Sequence, residues 1–188
     1  ILSTHPPTPC GIATFSAALA AELAAKNAAV SVVRIADGEG SPADELVVGE
    51  LIHGSPASIA AAAELLNRRD VAIIQHEYGI YGGPDGDQVV QIMENLRVPS
   101  IVVAHTVLKN PTPQQYSVLE RIMAMADRVV VMSGRERGMV HELWHRFCDA
   151  YGTPNFVESG RSAVMSQAMK DALGTYTIPA FDWGGAGF

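Results

Sequence analysis

Three short polar clusters hold most of the side chains that could do chemistry. The first, Ser3-Thr4-His5-Pro6-Pro7-Thr8-Pro9-Cys10-Gly11, ends on a glycine that opens a helical stretch. Amides at a helix start have no acceptor within the helix and attract anions, although the cluster has neither GxGxxG nor a Walker sequence. The second, Gln75-His76-Glu77-Tyr78-Gly79, directly follows a buried apolar run. Polar groups there must be paired or aimed at a ligand, because desolvating them alone costs energy. An amide, an imidazole and a carboxylate have the chemistry to recognise hydroxyl groups, and Gly82-Gly83 lets the loop approach a ligand closely. The third, His105-Thr106, repeats the arrangement. A histidine at such a point donates to a ligand oxygen or serves in acid–base work near neutral pH. Each cluster also has a plainer reading: a proline-stiffened turn packed at Gly11, a hydrogen-bonded strand end, and a capped turn before Pro111.

Other candidates have weaker settings. Asp37 follows a strand, where an acid can hold a ribose hydroxyl, but without the glycine fingerprint it reads as a solvated loop carboxylate. His141-Glu142-Leu143-Trp144-His145 matches HExxH, the pattern of a zinc hydrolase with Glu142 as base. Cys148 and Tyr151 stand where the longer zinc pattern needs Gly and His, so the match reads as chance and no metal is expected. Met123, Met125 and Met132 read as core, and Arg135 and Arg137 as a solvated helix face.

The elements that carry these clusters alternate. Short runs at Val30–Ile35, Val71–Gln75, Ser100–Ala104 and Arg128–Met132 are nearly continuous in apolar character, which suits parallel strands buried on both faces. Ile1 and its neighbours read as the last part of a further strand. Helical stretches fall at Gly11–Asn27, Pro56–Arg68, Asp85–Leu96, Pro113–Ala126 and Arg135–Tyr151, with Pro56 and Pro113 where helix starts tolerate proline. This rhythm predicts an α/β fold, a Rossmann-like three-layer αβα arrangement with a mostly parallel sheet. In such folds ligands sit beyond the carboxyl ends of the strands, where all three clusters fall. The rhythm stops near residue 142, so 1–141 is expected to form the domain and 142–188 an appended segment.

Composition narrows the partners. The chain has 188 residues and a net charge of −7, without runs of Lys or Arg, which argues against a nucleic-acid groove. Its two cysteines, Cys10 and Cys148, form no disulfide framework and no CxxC site, so a cytoplasmic setting is the default. No apolar stretch is long enough to span a bilayer.

On four blocks taken together, residues 3 to about 141 resemble the N-terminal domain of a GT-B glycosyltransferase of the family 4 type. The blocks are Pro6-Pro7 with Cys10-Gly11-Ile12-Ala13-Thr14-Phe15, Gln75 through Gly83, His105-Thr106-Val107-Leu108, and Val129-Val130-Val131-Met132-Ser133. The resemblance implies a retaining transfer of a sugar from a nucleotide-diphosphate sugar to a glycan or other hydroxyl acceptor, with no cofactor. It puts Gly11 and Ile12 near the donor diphosphate, Gln75, His76, Glu77 and Tyr78 on the acceptor side, and His105 at the reacting sugar as the catalytic residue. The family's C-terminal domain, which carries most donor contacts, does not follow Ser133, so the chain alone is expected to be inactive. The tail from about Glu142 to Trp183 instead resembles a short piece of a molybdopterin oxidoreductase, through Arg146 to Asn155, Tyr176 and Pro179-Ala180-Phe181-Asp182-Trp183. A joint between unlike families suggests a chimera, a mis-assembled reading frame or an engineered join. The alternatives are a non-catalytic sugar-binding module, a molybdopterin-enzyme fragment, and the HExxH zinc hydrolase.

Overall fold

The structure is a computed structural model that describes residues 1–36 and 44–131. Asp37, Met132, Ser133, Arg135, Arg137, the 141–145 match and the 142–188 segment lie outside the described residues. Strand β1 (Leu2–Ser3) leads into helix α1 (Gly11–Ala25), then β2 (Val32–Ile35), β3 (Val47–Leu51), α2 (Pro56–Leu66) and β4 (Ala72–His76). A single 3-10 turn (Pro84–Gly86) precedes α3 (Gln88–Glu94), β5 (Ser100–Ala104), α4 (Pro113–Met125) and β6 (Arg128–Val131).

The strands form one six-stranded sheet in the order β3-β2-β1-β4-β5-β6. The pairs β1–β2, β1–β4, β2–β3 and β4–β5 are all parallel. The fold is therefore α/β and Rossmann-like. The chain builds outward from β1 to β3, then crosses back to place β4 on the other side of β1. That reversal makes β1 and β4 the switch point of the sheet, beyond whose carboxyl ends ligands usually sit in such folds.

Alternation along the strands divides the interior into two faces. Leu2, Val33, Ile35, Ile74 and Val102 pack with Ile59, Ala62 and Leu66 of α2, Val89 and Ile92 of α3, and Val118 and Ile122 of α4. Ile1, Val32 and Ile73 pack with Leu19, Ala20 and Leu23 of α1 on the other face. The alanine-rich sequence of α1 thus serves a close helix–sheet contact. Helix starts are capped as their sequences suggest. Ser55 Oγ accepts from the Ser58 amide at 3.3 Å with Pro56 in the first turn, and Thr112 and Gln115 form a reciprocal capping box before Pro113.

Two elements differ from the sequence expectation. Strand β3 is additional. It lies at the sheet edge and reads Val47-Val48-Gly49-Glu50-Leu51, with Leu51 alone fully enclosed. A Cβ at Gly49 would overlap Leu65 Cδ1, the far end of an α2 side chain, so strand and helix approach closely there. Helix α3 begins at Gln88 rather than Asp85. Asp85 has φ 51° and Gly86 φ 75°, left-handed values that a right-handed helix cannot pass through. Among the described residues, no helix is long and apolar enough to cross a membrane.

Candidate functional site

The three clusters predicted from sequence stand at the ends of β1, β4 and β5, adjacent strands of the sheet. Register sets Gln75 beside Val103 and His76 beside Ala104, and the His105 amide continues the ladder by donating to His76 O at 2.9 Å. Gln75 and His105 share the face covered by α1. Their side chains meet, with His105 Nε2 and Gln75 Oε1 at 2.6 Å. Phe15, one turn into α1, presents its ring edge-to-face to His105 with centroids 5.2 Å apart. The helix that opens at Gly11 is thereby tied to the end of β5.

The chemistry of His105 follows from this packing. Burial lowers its pKa from the ordinary 6.5 to about 4, so the ring is neutral at pH 7. A carbonyl oxygen only accepts, so the Gln75 contact selects the Nε2–H tautomer. Nδ1 is then the acceptor of the ring. The group offers a ligand hydroxyl a lone pair rather than an acidic proton.

His76 and Tyr78 are not part of that contact. Alternation turns His76 to the opposite face of the sheet, where its ring meets Tyr78 edge-to-face at 5.0 Å. His76 is fully buried, and neither ring nitrogen has a hydrogen-bond partner. Burial first, and the nearby His105 second, lower its pKa to about 4. The Tyr78 hydroxyl is also buried without a partner, and burial, then the Asp85 and Glu77 charges, raise its pKa. Glu77 folds back locally, its Oε2 accepting from the Gly79 amide at 2.7 Å. The four residues expected to form one acceptor patch thus split: Gln75 joins His105, His76 joins Tyr78, and Glu77 shapes the turn.

The following loop is built for close approach. A Cβ at Gly82 would overlap Gln88 Oε1 and stand 3.0 Å from His53 Cβ, while Gly83 has φ 81°. The loop is pinned by His53 Nε2 on Ile80 O at 3.1 Å and by Gln115 Nε2 donating to Asp85 Oδ1 at 3.1 Å. Deep beneath it, the Tyr81 hydroxyl donates to Gln75 O at 2.6 Å.

At the end of β1, Cys10 caps α1, its Sγ accepting from the Ala13 amide at 3.4 Å and lying 3.2 Å from Thr4 Oγ1. Gly11 and Ile12 supply first-turn amides. Ile12 turns its side chain inward, so its backbone is what it can offer a ligand. No other residue of this loop stood out in the sequence, yet His5 is 3 % exposed, with Nδ1 3.5 Å from Asp44 Oδ2 and both ring nitrogens lacking a hydrogen bond. Beside it, fully buried Arg34 pairs with Glu50 at 2.8 Å and donates to Thr8 Oγ1 at 3.3 Å, tying β2 and β3 to the β1 loop. A charge inside the Val30–Ile35 run was the signal for Arg34, since a buried charge requires a partner. Phe15 carried no such signal; its role comes from the register of α1 against β5.

Among the described residues, no group of three His, Cys, Asp or Glu side chains is placed to hold a metal ion. In comparisons with protein-family models, curated proteins and solved structures, nothing matches this chain.

Proposed function

We propose that this domain is the acceptor-side half of a retaining glycosyltransferase, which moves a sugar from a nucleotide-diphosphate sugar to a hydroxyl acceptor. The observation that carries the reading is the contact set Phe15–His105–Gln75, which gathers a helix start and a neutral imidazole at one edge of the sheet. In this reading the first-turn amides of Gly11 and Ile12 face the donor diphosphate. His105 Nδ1 accepts from a sugar or acceptor hydroxyl, and Gln75 fixes the ring that does so. His76 and Tyr78 build the wall on the other face of the sheet, and Glu77 holds the turn. The four sequence blocks support the same assignment.

Equilibrium dialysis tests it. The chain is dialysed against radiolabelled nucleotide-diphosphate sugars that differ in base and sugar, and against the matching nucleoside monophosphates. The reading expects saturable binding of at least one diphosphate sugar, weakened about tenfold or more for the monophosphate and by His105→Ala. Equal retention of mono- and diphosphate forms, or binding indifferent to His105→Ala, would remove the basis for the proposal. A non-catalytic sugar-binding module would instead retain free glycans and ignore the nucleotide.

A further inference from the structure

Tyr81 is a core residue whose hydroxyl reaches the end of β4, at the switch point between β1 and β4. Successive backbone groups of a strand point to alternate neighbours. His76 O is taken by the His105 amide on the β5 side, so the Gln75 carbonyl turns toward β1. Strand β1 ends at Ser3 and is in register with β4 at a single pair, Leu2 with Ile74. The hydroxyl of Tyr81 fills the place of the missing strand, donating to Gln75 O at 2.6 Å in a buried setting. The other end of Gln75 holds His105 through Oε1 at 2.6 Å. One residue therefore connects the glycine loop to the ring at the sheet edge.

We propose that Tyr81 is a positioning residue for His105: by anchoring the Gln75 backbone at the β1–β4 switch point, it fixes the Gln75 side chain that selects the His105 tautomer. The role rests on the assignment of His105 to ligand binding made above, but its primary readout needs no ligand. Without the Tyr81 hydroxyl, the Gln75 carbonyl is left buried and unpaired, and the strand end relaxes toward any donor it can reach. The amide of Gln75 moves with it. The contact depends on alignment as well as distance, so a tilted Gln75 amide no longer holds Oε1 in line with the Nε2–H, and the ring becomes able to exchange between its two neutral tautomers. The aromatic ring of Tyr81 belongs to the main apolar core, so Tyr81→Phe retains the packing and removes the hydrogen bond alone.

The test uses nitrogen-15 spectra of the His105 ring in the full chain. The native protein is expected to show the Nε2–H form almost exclusively. Tyr81→Phe is expected to give a mixed tautomer and to weaken binding of a hydroxyl acceptor about fivefold, the worth of one ordinary hydrogen bond. Ile92→Val, in the same core, is the stability control and leaves both readouts unchanged. Gln75→Leu removes the intermediary, and adding Tyr81→Phe to it should change the His105 ring no further, the signature of two residues acting in series. An unchanged tautomer in Tyr81→Phe, or effects of Tyr81→Phe and Gln75→Leu that simply add, would overturn the proposal. If the tautomer shifts while no acceptor binds either protein, the positioning role stands and the transferase reading fails.

Discussion

Mild acid is expected to unfold this domain through His76. The folded ring has a pKa of about 4, against the ordinary 6.5 that the unfolded chain restores. The unfolded state therefore takes up the proton first. Stability is complete above about pH 6.5 and is lost progressively as pH falls to about 4. That difference corresponds to about 3 kcal/mol. His105, held at about 4 by burial, adds a smaller loss in the same window because its ring is less enclosed, and His5, lowered by burial, adds in the same direction. Domains of this size are stable by about 5–15 kcal/mol, so at the lower end of that range these losses bring the midpoint of acid unfolding to about pH 4–5. Urea unfolding followed by circular dichroism, repeated in steps from about pH 7 to pH 4, gives the free energy at each point. His76→Met isolates the cause. It removes two buried nitrogens that have no partner and keeps an apolar occupant, so stability near pH 7 should rise by about 1–2 kcal/mol. The slope between about pH 6.5 and 4 should fall by roughly half. A native profile that is flat across this window, or a variant as acid-sensitive as the native chain, would refute the argument.

Other outcomes follow from particular contacts. Gln75→Glu puts a carboxylate against the His105 ring, and a charge at about 4 Å in a partly buried setting is worth about 4 kcal/mol, which should carry the His105 pKa from about 4 toward 7 in an NMR titration. Glu50→Ala removes one 2.8 Å ion-pair contact of the fully buried Arg34 and should cost about 2 kcal/mol by chemical denaturation, less than a fully enclosed pair would because Glu50 is partly exposed. Removal of Glu64, whose pair with Arg97 is exposed on both sides, should not change the midpoint measurably. Gly86→Ala requires a side chain at φ 75° with its Cβ 2.6 Å from Tyr78 O, and should cost about 1–3 kcal/mol while raising amide exchange across residues 79–87.

The sheet was legible because its central strands are read from composition. Ala72–His76 and Ser100–Ala104 are buried on both faces, and near-continuous apolar runs have few other uses. Strand β3 was not legible for the opposite reason. At the edge, half-exposed Gly49 and Glu50 break the apolar run, and the side chain that Gly49 approaches, Leu65, is sixteen residues away. That the three polar clusters share one edge followed from topology alone, since residues after β1, β4 and β5 fall at the same ends of adjacent strands. Its division could not be read so directly. Gln75 and His76 are neighbours in sequence, but strand alternation sends them to opposite faces, and their partners are fixed by contacts 30 residues distant in one case and two residues distant in the other. The protonation of His105 depends on enclosure by Phe15 and β4, which no local pattern records.

A ligand is expected to meet this domain at the joint edge of α1, β4 and β5. An amide- and ring-resolved NMR titration with nucleotide-diphosphate sugars, followed by hydroxyl acceptors, tests it most directly. Saturable shifts are expected at the Gly11 and Ile12 amides and at the rings of Phe15 and His105, with the exposed pair Arg121–Glu94 on the far helices unaffected. Saturable shifts confined to other residues, or none at millimolar ligand with the fold intact, would contradict it.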